Sequence, residues 1–147
     1  MGDHDLQYRL FAPVTATQAY DGICRISEWW MIGFEGSARE LGDTFSVHSK
    51  EMFVDFVVAE AISETRLVWQ VVDCNLHWLQ NKKEWVGTRI EWDLTAETGG
   101  VAITLTHCGL RPGVECYEEC VEGWELFAGK SLKQYLSTGT GSPDLEP

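Results

Sequence analysis

The residues best suited to chemistry lie late in the 147-residue chain. His107 closes the run Val101, Ile103, Leu105, His107, in which alternate positions share one strand face. A histidine there can bond a ligand carbonyl or exchange a proton near neutral pH. The competing reading is structural, and it is preferred: the ring bonds a backbone carbonyl or Tyr117 and pins the strand to the segment that follows. Ser131 is polar inside an apolar helical stripe. It either meets the polar end of a ligand or bonds back to the carbonyl four residues earlier, the second being preferred. No nucleophile-elbow sequence accompanies it, so a Ser-His-acid triad is not supported.

Cys108, Cys116 and Cys120 could join His107 as metal ligands, since positions 116 and 120 are separated by only about 40° on a helix of ~100° per residue. Cys108 should face away from His107, however, and no CxxC or HxxxH spacing is present. The cysteines read instead as small apolar core residues, and neither a metal nor a cofactor is expected. Glu91 and Asp93 alternate outward with Arg89, which describes a solvated sheet face rather than a paired acid and base. No catalytic residue is assigned.

The element that must position these groups is the segment from Gly113 to Ser137. On a helix, Tyr117, Cys120, Val121, Trp124, Ala128, Leu132 and Tyr135 form one stripe with Phe127 at its edge. Glu115, Glu118, Glu119, Glu122 and Lys133 lie opposite. The stripe extends about 36 Å at about 1.5 Å per residue, so it needs a large apolar partner. Gly123 and Gly129 inside it each cost about 1 kcal/mol relative to Ala. Either a close approach or a slight bend of the helix would explain them.

The rest of the chain supplies the partner. Leu6 to Phe11 reads as a strand stopped by Pro13, after which Thr15 or Thr17 caps a short helix. Arg25 to Ile32 reads as a second short helix, followed by a loop punctuated by Gly33, Gly36 and Gly42. Strands are expected over Thr44 to His48, Met52 to Ala61, Arg66 to Val72, weakly Asn75 to Leu79, then Trp85 to Ala96 and Val101 to Cys108. Short connections such as Gly99-Gly100 favour antiparallel pairing. The expectation is an α+β architecture, one antiparallel sheet with a long helix across its apolar face, in one domain spanning 1–147 with a tail from Gly139.

Composition bounds the partners. The apolar content is 44%, with seven tryptophans and a formal net charge of −12, so a folded acidic domain is expected. Nucleic acid is disfavoured because phosphates need a basic patch, and an anionic membrane surface for the same reason. The N-terminal residues show no signal-peptide pattern, no run has the length of a membrane span, and the five cysteines follow no disulfide framework. A cytoplasmic protein with reduced thiols is the expectation.

The C-terminal third is specific enough to carry a resemblance. Thr106-His107, Gly109-Leu110, Glu115-Cys116-Tyr117, Cys120, Gly123-Trp124, Ser131-Leu132 and Thr138-Gly139, with Gly141 and Pro143, resemble the Hsp90-ATPase-activator-homologue-like branch of the START/Bet v 1-like (SRPBCC) superfamily. Trp29-Trp30, Val68-Trp69-Gln70-Val71 and Glu84-Trp85-Val86-Gly87-Thr88 fit the same pattern. The resemblance implies a helix-grip fold: a strand, two short helices, six further antiparallel strands and a long C-terminal helix over the curved sheet. It also implies a cavity between sheet and helix, but no shared catalytic signature, and the fold alone does not decide function.

On that basis the expected function is binding of a small hydrophobic or amphipathic ligand. Trp30, Phe56, Trp69, Trp92, His107, Tyr117, Cys120, Trp124, Ala128 and Ser131 are the candidate contacts. The same rings could instead fill the core and leave no room. Two other readings stand beside binding. One is a cyclase- or hydrolase-like enzyme on a polyketide or aromatic substrate, with His107 or a tyrosine as acid or base. The other is an interaction module for a chaperone partner or a second copy of the chain.

Overall fold

The alternating pattern of the last two strands sets the sheet. In the computed structural model, which describes residues 5–144, Ile90, Trp92 and Leu94 are buried on the same face as Val101, Ile103, Leu105 and His107. Trp92 sits opposite Leu105 and Ile90 opposite His107. Seven strands form one antiparallel sheet, β1 (Leu6–Ala12), β2 (Phe34–Gly36), β3 (Thr44–Ser49), β4 (Met52–Ile62), β5 (Arg66–Asn75), β6 (Arg89–Glu97) and β7 (Gly100–Cys108). Their order is β1-β7-β6-β5-β4-β3-β2. Register shifts at Asp55/Phe56 and Val58/Glu60 mark irregularities of the kind that bend a strand. On the outer face Arg66 bonds Asp93 at 2.7 Å and lies 3.2 Å from both Glu60 and Glu91, so these carboxylates serve a surface ion-pair network.

Helices cover the inner face. Thr15 caps α1 (Ala16–Cys24) in a capping box. Its Oγ1 accepts from the Gln18 amide at 3.1 Å, and Gln18 Oε1 accepts from the Thr15 amide at 2.9 Å. The second helix, α2 (Ile26–Trp29), is one turn long. The C-terminal helix runs through α3 (Tyr117–Trp124), a wide-turned π-helical segment (Glu125–Leu132) and α4 (Lys133–Thr138). The wide turns lie where Gly129 meets Tyr8 of β1: a Cβ at Gly129 would overlap the Tyr8 hydroxyl and lie 2.8 Å from its Cζ. That settles Gly129 as a close approach, whereas a Cβ at Gly123 would meet nothing within 4 Å.

Several boundaries differ from the sequence expectation. The C-terminal helix begins at Tyr117, four residues after Gly113, because Gly113 adopts φ +108°, a left-handed conformation that interrupts a helix. The weak strand at Asn75 to Leu79 is instead the end of β5 and a turn closed by the Leu79 amide on the Leu76 carbonyl at 3.0 Å. Trp85 to Thr88 is likewise a turn, so β6 begins at Arg89. Phe34–Gly36, read as loop, pairs with β3 as an edge strand. The tail is held through its described part, with the Asp144 amide donating to the Trp30 carbonyl at 2.8 Å. Residues 1–4 and 145–147, which bear on the N-terminal and tail expectations, lie outside the described residues.

The space between sheet and helices is filled by rings. Trp29, Trp69 and Trp92 are fully buried. Trp92 meets Trp29 edge-on at 5.7 Å and Trp69 at 5.6 Å, while Phe45 stacks on Phe56 at 4.7 Å.

Candidate functional site

Where that aromatic core reaches the surface, a cleft of about 470 Å³ opens beside α3. This lies within the roughly 300–1,000 Å³ of small-molecule sites. One wall is helical, formed by Glu119, Cys120, Glu122, Gly123, Trp124 and then Phe127. The opposite wall comes from the β3–β4 hairpin, through Ser49, Lys50, Met52 and Val54. The β5–β6 connection adds Leu76, His77, Trp78 and Trp85, and Trp30, Met31 and Asp144 complete the lining. Turn chemistry places the third group: Leu76 and Leu79 are buried, which ties the connection down, while Trp78 remains 49% exposed.

Four indoles, those of Trp30, Trp78, Trp85 and Trp124, contribute to the apolar part of the lining. Trp124 lies 5.1 Å from Trp30 and stacks on Trp85 at 6.4 Å with their planes 12° apart. Carboxylates of Glu119, Glu122 and Asp144 border the cleft, with Lys50 among them. Trp85 keeps its indole N–H buried with no hydrogen-bond partner.

Behind Trp124 sits His107, fully buried. The Trp124 indole N–H donates to its Nδ1 at 3.2 Å, and its Nε2 lies 2.9 Å from Thr88 Oγ1. Because the Thr88 hydroxyl donates to the Trp85 carbonyl at 2.7 Å, Nε2 must carry the proton given to Thr88. That assigns a neutral ring with a bare Nδ1. Burial pushes the His107 pKa down to about 3. The ring therefore pins β7 to α3, through Trp124 rather than through a carbonyl or Tyr117.

Of the ten candidate contacts, Trp30, Cys120 and Trp124 line the cleft. Phe56 and Trp69 lie deeper, within 6.0 and 6.5 Å of Trp30, and Trp92 lies beyond them. Tyr117 packs half-buried at the start of α3. Ala128 is buried on the π-helical segment. Ser131 neither lines the cleft nor bonds back along its own helix. Its hydroxyl donates to the Trp29 carbonyl at 2.7 Å and accepts from the Ser142 amide at 2.8 Å, clasping helix, α2 and tail together. Among the described residues no group of three or more His, Cys, Asp or Glu side chains is gathered to hold a metal ion.

Sequence reasoning did not select Met31, Met52, Val54, Leu76, Trp78, Trp85 or Phe127 as lining. Trp78, beside the turn-rich run Gln80-Asn81-Lys82-Lys83, was the available signal, because a large indole in a polar turn has no core to enter.

The family described as Activator of Hsp90 ATPase homolog 1-like protein matches residues 23–137. No curated protein matches the chain. Among solved structures, the Aha1 dimer from Colwellia psychrerythraea is similar with a TM-score of 0.77 at 21% identity, covering 93% of this chain and 98% of that one. Protein MLL2253 from Mesorhizobium loti gives 0.74 at 17% identity, covering 89% and 95%. DynU16, from the dynemicin biosynthetic locus, gives 0.71 at 19% identity, covering 95% of this chain and 49% of that one. At these identities the likeness is one of fold. Among the described residues, no helix is long and apolar enough to cross a membrane.

Proposed function

The chain belongs to the Activator of Hsp90 ATPase homolog 1-like family, and from that premise we propose that it binds a small amphipathic molecule in the cleft between α3 and the β3–β4 hairpin. The observation that carries the reading is the lining itself: an apolar wall of Trp30, Trp85, Trp124, Phe127 and Met52 beside a bordering set of carboxylates. Apolar area removed from water supplies affinity at about 25 cal/mol per Å². A few polar groups fix orientation.

In this reading Trp30, Cys120 and Trp124 touch the ligand. Phe56, Trp69, Trp92, His107, Tyr117, Ala128 and Ser131 hold the walls. Acid–base catalysis through His107 is not favoured, since both ring nitrogens are engaged and the ring stays neutral far below pH 7.

The test is titration with N-phenylnaphthylamine, a neutral apolar probe suited to an acidic rim, followed by tryptophan quenching. Saturable one-to-one quenching is expected, weakened about tenfold, or about 1.4 kcal/mol, by Phe127→Ala. Trp124→Ala should abolish it. Absence of saturable quenching, or undiminished affinity in both variants, overturns the reading.

A further inference from the structure

Cys116 and Cys120 bring their Sγ atoms to 2.9 Å. A regular helix spaces the Cβ atoms of residues i and i+4 by about 5–6 Å, which gives two short side chains little reason to meet. Here Cys116 is the residue preceding α3, with φ −90° and ψ 6°. It is therefore not held to helical geometry, and its side chain leans onto the first turn. A disulfide has an S–S length of about 2.05 Å, so the two sulfurs need close by less than about 1 Å.

The two thiols are not equivalent. Cys120 is half-buried and lines the cleft. Cys116 is 1% exposed and lies beneath it. Cys120 is therefore the thiol that a solute in the cleft reaches first, while hydrogen bonding to Cys120, then burial, raises the Cys116 pKa. Cys24 and Cys74 are buried elsewhere, and Cys108 lies on β7.

We propose that Cys116 and Cys120 form a reversible dithiol–disulfide site, with Cys120 as the entry thiol and a small-molecule disulfide, admitted by the cleft, as the oxidant. The Cys120 thiolate attacks one sulfur of the small disulfide, forming a mixed disulfide and expelling one small thiolate, which takes up the proton Cys120 released. Cys116 then gives up its proton and attacks the Cys120 sulfur, expelling the second small thiolate, which takes up that proton. Two protein thiols are oxidised, and one small disulfide is reduced to two thiols. The product ties the residue preceding α3 to the helix and removes a thiol from the cleft wall. Such a bond in a protein kept among reduced thiols is transient and responsive rather than structural.

The test is exposure of the full chain to oxidised glutathione, acid quenching, then intact mass measurement and peptide mapping. The wild type is expected to yield a peptide cross-linked between Cys116 and Cys120, lighter by two hydrogens, without glutathione retained at either position, and restored by dithiothreitol. Cys116→Ser should instead retain glutathione on Cys120. Cys120→Ser should retain none at Cys116, which the cleft does not expose. A lasting glutathione adduct on Cys120 in the wild type overturns the proposal. So does an unmodified Cys120 where Cys108 has reacted. Because the wild-type map alone separates cross-link from adduct, the result does not depend on either serine variant folding. It is also independent of the N-phenylnaphthylamine titration, so each reading can fail by itself.

Discussion

The indole N–H of Trp124 donates to Nδ1 of His107 at 3.2 Å. That bond joins a wall of the cleft to the inner face of the sheet. It also requires an unprotonated Nδ1, because an imidazolium would set two N–H groups against each other. The cleft wall is thus fixed only while the histidine is neutral.

Stability should therefore depend on pH through His107. Burial moves its pKa from 6.5 down to about 3 in the folded chain. Between those values the unfolded chain binds a proton that the folded chain refuses, so the contribution is fully present above pH 6.5 and is lost as the pH falls toward 3. Asp5, Asp21, Asp43 and Asp73, whose pKa values are lowered from 3.8, act in the same direction but at more acid pH. Urea unfolding is expected to show the wild type losing about 2 kcal/mol between about pH 7 and about pH 5. His107→Gln should be less stable at neutral pH by about 1–3 kcal/mol, with that slope removed. Equal slopes in the two proteins would refute the assignment.

The two glycines of the C-terminal helix should respond oppositely to alanine. At Gly123 a Cβ meets nothing within 4 Å, so Gly123→Ala is expected to stabilise the protein by about 1 kcal/mol through helix propensity. At Gly129 the added methyl overlaps the Tyr8 ring, which packs against the core. Gly129→Ala should cost about 1–3 kcal/mol. Thermal unfolding of Tyr8→Ala, Gly129→Ala and the double variant completes a cycle in which the Gly129 penalty disappears once the ring is removed.

These contrasts mark what the sequence could disclose. Period-two alternation from Arg89 to Leu94 and from Val101 to His107 dictated both strands, their shared buried face and the antiparallel pairing. The helical stripe located Trp124, Ala128 and Leu132 correctly, because a buried helix face must be apolar wherever its partner lies. Periodicity carries no information about partners across the core, so neither the His107–Trp124 bond nor the Ser131 clasp onto Trp29 was legible. The cleft was harder still. Its walls come from five chain segments brought together by turns, and turn geometry at Leu76 to Thr88 follows from tertiary packing rather than local pattern. Trp85 in particular belongs to a run of alternating residues, yet it sits in a turn and lines the cleft.

The cleft and the aromatic core beneath it should respond differently to substitution. Gly123 lines the cleft and has open space at its Cβ position, so Gly123→Leu should project its side chain into the volume a ligand would take. It should weaken N-phenylnaphthylamine binding at least tenfold, about 1.4 kcal/mol, without loss of stability. Phe56 is 1% exposed and packed on Phe45 and Trp30, outside the lining. Phe56→Leu should lower stability by about 1–3 kcal/mol through lost packing while leaving probe affinity within about twofold. If the ligand instead entered the deep aromatic core, the pattern would invert: Phe56→Leu would change affinity most, and Gly123→Leu would leave it intact. Paired probe titrations and urea unfolding of the two variants distinguish these outcomes, since one substitution fills space at the surface and the other empties it inside.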